Sequence, residues 1–289
     1  ATSEERPAQT ADAASPATPF ETVTVRHGEE ILEMELEEYV YRVTRAEVPA
    51  SFSAQALRAC SVAVRSYTVY KLLHSTKEEH DGAVLCTNSR HCMAFSTAEE
   101  AQDCPVRAAC RDTAGQVMCC GGEVCQTFFF SMCGGYTADS AHVFASSRAY
   151  LVPVCSPEGA GLQGFETKAE FTKQALAKAL REKGYTVADE AAEVSLARDA
   201  QGYVLSFSFG ELTLGGTAAR LALGLRSSCF SMEQQGQTLL FTVHGYGHGV
   251  GLSQWGAELY ARQGWDYEKI LCHYYQNAAL QPLASALQS

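Results

Sequence analysis

LEEYVYRVTRAEVPASFSAQALRACSVAVRSYTVYKL, residues Leu36–Leu72, is the stretch around which the chain is organised. Leu36, Tyr39, Val40 and Val43 recur at three- and four-residue spacing, which makes one apolar face of a helix. Pro49 pushes the residue before it out of the helical region, so this helix ends near Ala46-Glu47. Ser51 or Ser53 then caps a second helix in which Ala56, Leu57, Ala59, Cys60, Ala63 and Val64 are small or apolar, running to His74. Glu47 thus stands at a helix C-terminal end, where cations are favoured and a carboxylate is out of place. In isolation the common reading of such a residue is a surface acid in a loop. The alternative is an acid kept there for its proton.

Composition narrows the options. The chain has 289 residues, 46% hydrophobic and 19% charged, enough for a large core. A net charge of −11 argues against nucleic acid and anionic membrane surfaces, both of which recruit basic patches, and leaves neutral or cationic polymers open. No run of eighteen apolar residues is present to span a bilayer. Residues 1–20 are rich in Ala, Thr, Ser, Pro and Glu and read as a disordered tether, with a removed signal or membrane anchor upstream of Ala1. Residues 21–289 form the folded domain. Ten of the twelve cysteines fall between Cys60 and Cys155; the even count permits disulfides without assigning pairs, and buried free thiols are equally compatible.

Beyond the central stretch, residues 21–35 alternate as strand, turn at His27-Gly28 and run into the first helix. His80, Cys86, His91 and Cys92 follow the second helix with spacing H-x5-C-x4-H-C. Four N/S donors within thirteen residues suit a tetrahedral zinc; the competing reading is a local Cys86–Cys92 disulfide with two exposed histidines. Val117–Phe130, with Gly121-Gly122 at its turn, reads as a buried hairpin. Ser131–Phe144, SMCGGYTADSAHVF, follows with a strand end and two glycines that let backbone approach a ligand. Leu151–Pro157 reads as strand and turn, residues 158–202 hold a polar helix, FTKQALAKALREKGY (171–185), capped at Gly184, and 203–243 reads as antiparallel sheet with glycine turns. Finally, His244–Tyr275 opens with four glycines in residues 245–251, brackets Tyr246 between His244 and His248, and begins a helix at Ser253-Gln254-Trp255. Backbone freedom beside an aromatic ring and polar donors suits carbohydrate. No dinucleotide βαβ unit follows the glycines.

These motifs together resemble the stage II sporulation protein D family. The resemblance is carried by Leu36–Tyr70, by FFFSMCGGYTADSAHVF (128–144), by GGTAARLALGLRSSCF (215–230) and by the segment 244–280. It implies a peptidoglycan lytic transglycosylase that cuts glycan strands stripped of stem peptides, during forespore engulfment in sporulation. The implied setting is extracytoplasmic, membrane-anchored, in the space between mother cell and forespore. Implied partners are the amidase stage II sporulation protein P and stage II sporulation protein M. Glu47 occupies the place of the family's catalytic Glu, with Val48 where Met is usual. Arg65 matches the family's Arg, and Ser131, Tyr136, His248, Ser253 and Gln254 are expected to contact substrate. A structural zinc on His80, Cys86, His91 and Cys92 is likewise implied. Met132-Cys133 and Phe144 depart from the usual Thr-Ser and Trp.

The chemistry is consistent with that assignment. A glycosidase that uses water needs two carboxylates, and none of these motifs offers a second acid beside Glu47. A lytic transglycosylase lets the sugar's own C6 hydroxyl attack C1, so one Glu serves as acid and then base, provided it begins protonated. The outward-pointing carbonyls at a helix end disfavour the anion and push its pKa that way. Two other classes stay open: a non-catalytic glycan-binding activator of a cell-wall amidase, and a zinc hydrolase acting on the stem peptide. The expected fold is α+β, a helix pair packed with mainly antiparallel sheets, in two lobes around a substrate cleft.

Overall fold

The computed structural model describes residues 20–89, 91–98, 104–144 and 146–288; the expected tether lies outside them but for Phe20. The architecture is α+β, with small, mainly antiparallel sheets. The hairpin Thr22–His27/Glu30–Glu35 leads directly into the helix Leu36–Glu47. A second helix, Ala54–His74, is the axis of the molecule. It packs against the first helix and against helices Pro105–Asp112, Gln254–Arg262 and Tyr267–Tyr274. Being covered on most faces, it has buried residues all around rather than one apolar stripe. Its polar members turn inward on the backbone: the hydroxyls of Ser61, Ser66 and Thr68 donate to the carbonyls of Leu57, Val62 and Val64.

Two separate hydrophobic cores agree with the two-lobed expectation. The larger gathers the helices above with the hairpin Gln116–Cys120/Glu123–Val124 and the strand Ala279–Pro282. The smaller is built only from residues between Leu176 and Val243, including Phe207, Phe230 and Phe241. In this second lobe the sheet expectation for 203–243 needs correction. Strands Val204–Phe209 and Leu212–Leu214 belong to one sheet, and Phe230–Gln235 and Thr238–His244 to another. Between them runs a helix, Gly216–Leu223, whose Gly215-Gly216 start looks like a turn in sequence. The helix expected within 158–202 is Lys173–Glu182, and a strand that the pattern does not suggest, Glu166–Thr172, precedes it. Leu151–Pro157 forms no strand, only a bridge from Cys155 to Tyr136. Phe129–Phe130 leaves the hairpin and pairs in parallel with Leu252–Ser253, bringing the 131–144 and 245–256 motifs side by side.

Candidate active site

The first helix ends at Glu47. Val48 turns extended (φ −127°, ψ 145°), its N–H closes on the Thr44 carbonyl at 3.1 Å, and its side chain is buried. Glu47 is thereby held against two neutral donors. Its Oε1 accepts from the Ala94 N–H at 2.7 Å and its Oε2 from Gln254 Nε2 at 3.2 Å. Burial is the largest influence on the carboxyl and raises its pKa; the two hydrogen bonds stabilise the anion and partly oppose the rise. The direction is the one expected from the carbonyls at the helix end, but desolvation is what supplies it.

Ala94 comes from the His/Cys loop. His80 Nε2 and His91 Nδ1 lie 3.1 Å apart, Cys92 Sγ lies 3.3 Å from His80 Nε2 and 3.6 Å from His91 Nδ1, and Cys86 Sγ lies 3.5 Å from His91 Nδ1. All four donor atoms lie within 4.8 Å of one another. A tetrahedral ion with bonds of about 2.0 Å to nitrogen and about 2.3 Å to sulfur needs donor separations of roughly 3.3 to 3.8 Å, so the set fits a metal. His91 Nε2 faces Glu79 Oε1 at 3.6 Å, the carboxylate–histidine arrangement that orients a ligand ring. Cys86 and Cys92 are free thiols, not a disulfide. Because Ala94 follows Cys92 by two residues, the same loop that gathers these donors presents an N–H to Glu47.

Opposite Glu47 stands the start of the helix Gln254–Arg262. Ser253 caps it, accepting from the Gly256 N–H at 3.3 Å, while its own hydroxyl donates to Glu158. Glu158, only 6% exposed, also accepts from the Cys133 N–H (2.8 Å) and the Ser156 hydroxyl (2.6 Å). Gly256 is required here: a Cβ would sit 2.1 Å from the Tyr274 hydroxyl. One turn on, Glu258 accepts from the N–H (2.6 Å) and hydroxyl (3.1 Å) of Ser53 and from Arg262 Nε (2.7 Å). Ser53 thus holds the cap position of the long helix, yet its hydroxyl is spent on Glu258. Glu258 therefore ties the Gln254 helix to Ser53, six residues after Glu47, and Glu158 ties its cap to Cys133 and Ser156.

The expected substrate contacts divide. Gln254 is buried and reaches Glu47 directly. Ser131 is partly exposed, and its carbonyl takes the Trp255 N–H at 3.0 Å, placing it beside Gln254. Tyr136 is 48% exposed and free to meet a ligand. Ser253 is buried in the Glu158 network and offers no free hydroxyl. His248 is also spent: Nε2 donates to the Phe129 carbonyl (3.0 Å) and Nδ1 accepts from Val250 N–H (3.1 Å). Its ring lies among Phe128, Phe130 and Phe144, and burial, helped by the Arg220 charge, pushes its pKa down to about 4. Arg65 requires the largest correction. It is 0% exposed, Nε and Nη2 pair with both Glu37 oxygens at 2.7 Å, and its other donors go to Thr113 and the carbonyls of Cys110 and Gln116. Glu37 lies ten residues before Glu47 on one helix, roughly 15 Å away at helical rise.

Ala94, Glu158 and Glu258 escape the sequence reading. Ala94 acts through its backbone, which no side-chain motif reports. Glu258 stands four residues after Gln254, one turn along the same face, and that spacing is the available signal.

Residues 26–119 match the family model described as Stage II sporulation protein, a segment that includes Glu47, Arg65 and the four metal-set residues. Stage II sporulation protein D of Bacillus subtilis (strain 168) is 27% identical over 256 residues, covering 85% of this chain and 74% of that protein. Its Bacillus amyloliquefaciens counterpart is 27% identical over 263 residues, covering 87% and 76%. An amidase enhancer of Bacillus subtilis (strain 168) is 24% identical over 286 residues, covering 81% of this chain and 39% of that protein.

Proposed function

Since the chain belongs to the stage II sporulation protein D family, with a cell-wall role in sporulation, we propose that it is a lytic transglycosylase acting on peptide-stripped peptidoglycan strands. The observation that carries this reading is the state of Glu47. It is a half-buried carboxyl with a raised pKa, held by two neutral donors and, among the described residues, no cation. A general acid needs its proton near neutral pH, and burial without a counter-charge retains it. The acids on the neighbouring elements, Glu158 and Glu258, are consumed by buried hydrogen bonds, so neither is placed to activate water. One carboxyl must then serve twice.

In the first step Glu47 gives its proton to the bridging oxygen as the C1–O bond breaks and C1 acquires oxocarbenium character. In the second, the Glu47 carboxylate takes the proton of the same sugar's C6 hydroxyl while that oxygen bonds to C1. The products are a 1,6-anhydro-N-acetylmuramic end and a strand with a new 4-hydroxyl; no water is consumed. The Ala94 and Gln254 donors keep the carboxyl oriented and steady the anion between the steps. The metal of the His80, Cys86, His91 and Cys92 set is taken to be zinc, and four protein donors leave no open position for chemistry, so its role is structural.

Glu47→Gln tests the assignment. It should bind peptide-free glycan like the parent and release no anhydro product; continued cleavage would remove Glu47 from the mechanism. The likeness to an amidase enhancer favours one second reading, a glycan-binding activator of a cell-wall amidase, which requires that the parent chain cut no bond. The proposed partners are the family's amidase, stage II sporulation protein P, and stage II sporulation protein M. The proposed location is the extracytoplasmic space between mother cell and forespore, on a membrane anchor. Among the described residues no helix is long and apolar enough to cross a membrane.

A further inference from the structure

Two guanidinium groups beside the glycine loop meet no acid, in a chain whose net charge is −11. Arg42, Arg58, Arg65 and Arg107 in the larger lobe each form an ion pair. Arg220, on the helix Gly216–Leu223, and Arg226, just beyond it, form none among the described residues. Arg220 Nε is shielded from solvent and has no hydrogen-bond partner. A buried donor left open is costly, and such groups call for an acceptor that the chain itself does not supply. Arg226 lies with its guanidinium carbon 4.5 Å from the centre of the Tyr246 ring and gives one hydrogen bond, 3.4 Å, to the Gly164 carbonyl. Arg220 lies close enough to feel the Tyr246 side chain and for its own charge to act on His248. Tyr246 itself is 46% exposed.

This cluster is linked to the acid through adjoining backbone. Tyr246 and Met132 exchange backbone hydrogen bonds at 2.7 and 3.0 Å; Met132 follows Ser131, whose carbonyl holds Trp255, and Trp255 follows the Gln254 that holds Glu47. That path of adjoining backbone runs from the acid to an aromatic ring beside two cations that have no acid partner among the described residues.

We propose that Arg220 and Arg226, with the Tyr246 ring, form a subsite for a carboxylate-bearing hexosamine, taking the lactyl carboxylate that a muramic residue exposes only when its stem peptide is gone. This rests on the glycan reading above and assigns its preference for stripped strands to named residues. A stem peptide converts that carboxylate into an amide, which removes the charge and adds bulk. A guanidinium gains much more from a carboxylate than from an amide, because a charge-assisted bond is about twice as strong as a neutral one. Stacking on Tyr246 fixes the plane in which Arg226 presents its donors.

The probe is the disaccharide N-acetylglucosaminyl-N-acetylmuramic acid, which lacks the muramic-to-glucosamine bond that Glu47 would cut. It is titrated against the full chain by NMR, beside the same disaccharide with its carboxyl converted to a simple amide. The parent should bind the carboxylate form about tenfold more tightly, the scale of one charge-assisted hydrogen bond. Arg220→Gln and Arg226→Gln should each bring that ratio towards one, weakening the carboxylate form far more than the amide form. Arg226→Gln leaves the shielded Arg220 Nε untouched and keeps the test available if the Arg220 substitution unfolds the lobe. Equal affinity of the parent for both forms would overturn the subsite, as would a variant that weakens both forms equally. Since nothing is cut, loss of the ratio is read separately from any failure of Glu47 as the acid.

Discussion

The helix Leu36–Glu47 carries an acid near each end, and the two keep opposite company. Glu37 meets a cation: both its oxygens bond Arg65 at 2.7 Å, and the pair braces the first helix against the second and against the segment leading into the Gln116–Cys120 strand. Among the described residues Glu47 meets an amide N–H and a side-chain amide and no cation, and burial raises its pKa. A carboxylate opposite a guanidinium is held as an anion and serves as an anchor. A carboxyl enclosed by neutral donors keeps a proton that it can give away. One helix thus places a structural acid and a chemical acid by what faces each end of it.

The sharpest way to break this contrast is Glu47→Gln. Cleavage should fall by about 10²- to 10⁴-fold, the usual worth of a positioned acid–base group, measured as product released from peptide-free glycan. The melting temperature at neutral pH should stay level or rise. The sign follows from the raised pKa: the folded chain binds this proton more tightly than the unfolded chain does. The stability gained from it is present below the ordinary carboxyl range and is lost as pH climbs through the raised value. The amide of the Glu47→Gln variant does not titrate and has no such slope, so a lower melting temperature would contradict the account.

Arg65→Leu should do the reverse. Removing the buried partner of this half-exposed pair, with two carbonyls left short of donors, should cost about 3 kcal/mol, seen as a melting temperature roughly 6 to 12 °C lower. Cleavage per folded molecule should change little; its abolition in a folded variant would restore Arg65 to the reaction. Next in size, a chelator should lower the melting temperature of the parent chain and have no further effect once Cys92 is replaced by Ser. An unchanged parent transition would deny the metal a structural role. The smallest expected effect comes from Gln254→Ala. Its hydrogen bond favours the anion, so removing it should raise the Glu47 pKa further and move the alkaline limb of the activity profile upward, with less than a tenfold loss of rate. A downward movement would mean that Gln254 does not hold the carboxylate.

Much of this is legible in the chain because local rules govern it. Pro49 stops the helix at Glu47, and the H-x5-C-x4-H-C spacing gathers four donors in space. Gly184 follows a helix that ends where a positive φ begins. Where pairing is long-range, the pattern misleads. Gly215-Gly216 looks like a turn, yet a Cβ on Gly216 would lie 2.0 Å from the Val204 carbonyl, so the glycine serves helix-to-strand packing. Arg65 and His248 carry reactive side chains in distinctive motifs, and only the tertiary fold reveals that every donor on them is already engaged. The identity of the donors on Glu47 is hidden for the same reason: one is a backbone N–H 47 residues away and the other an amide 207 residues away.

The most direct test is to digest peptide-free glycan with the parent chain in ¹⁸O-water and weigh the new ends by mass spectrometry. A single carboxyl acting twice predicts 1,6-anhydro-muramic ends that carry no ¹⁸O, and at least about a hundredfold fewer of them with Glu47→Gln. Reducing ends labelled with ¹⁸O would contradict it, since they require an activated water and a second acid.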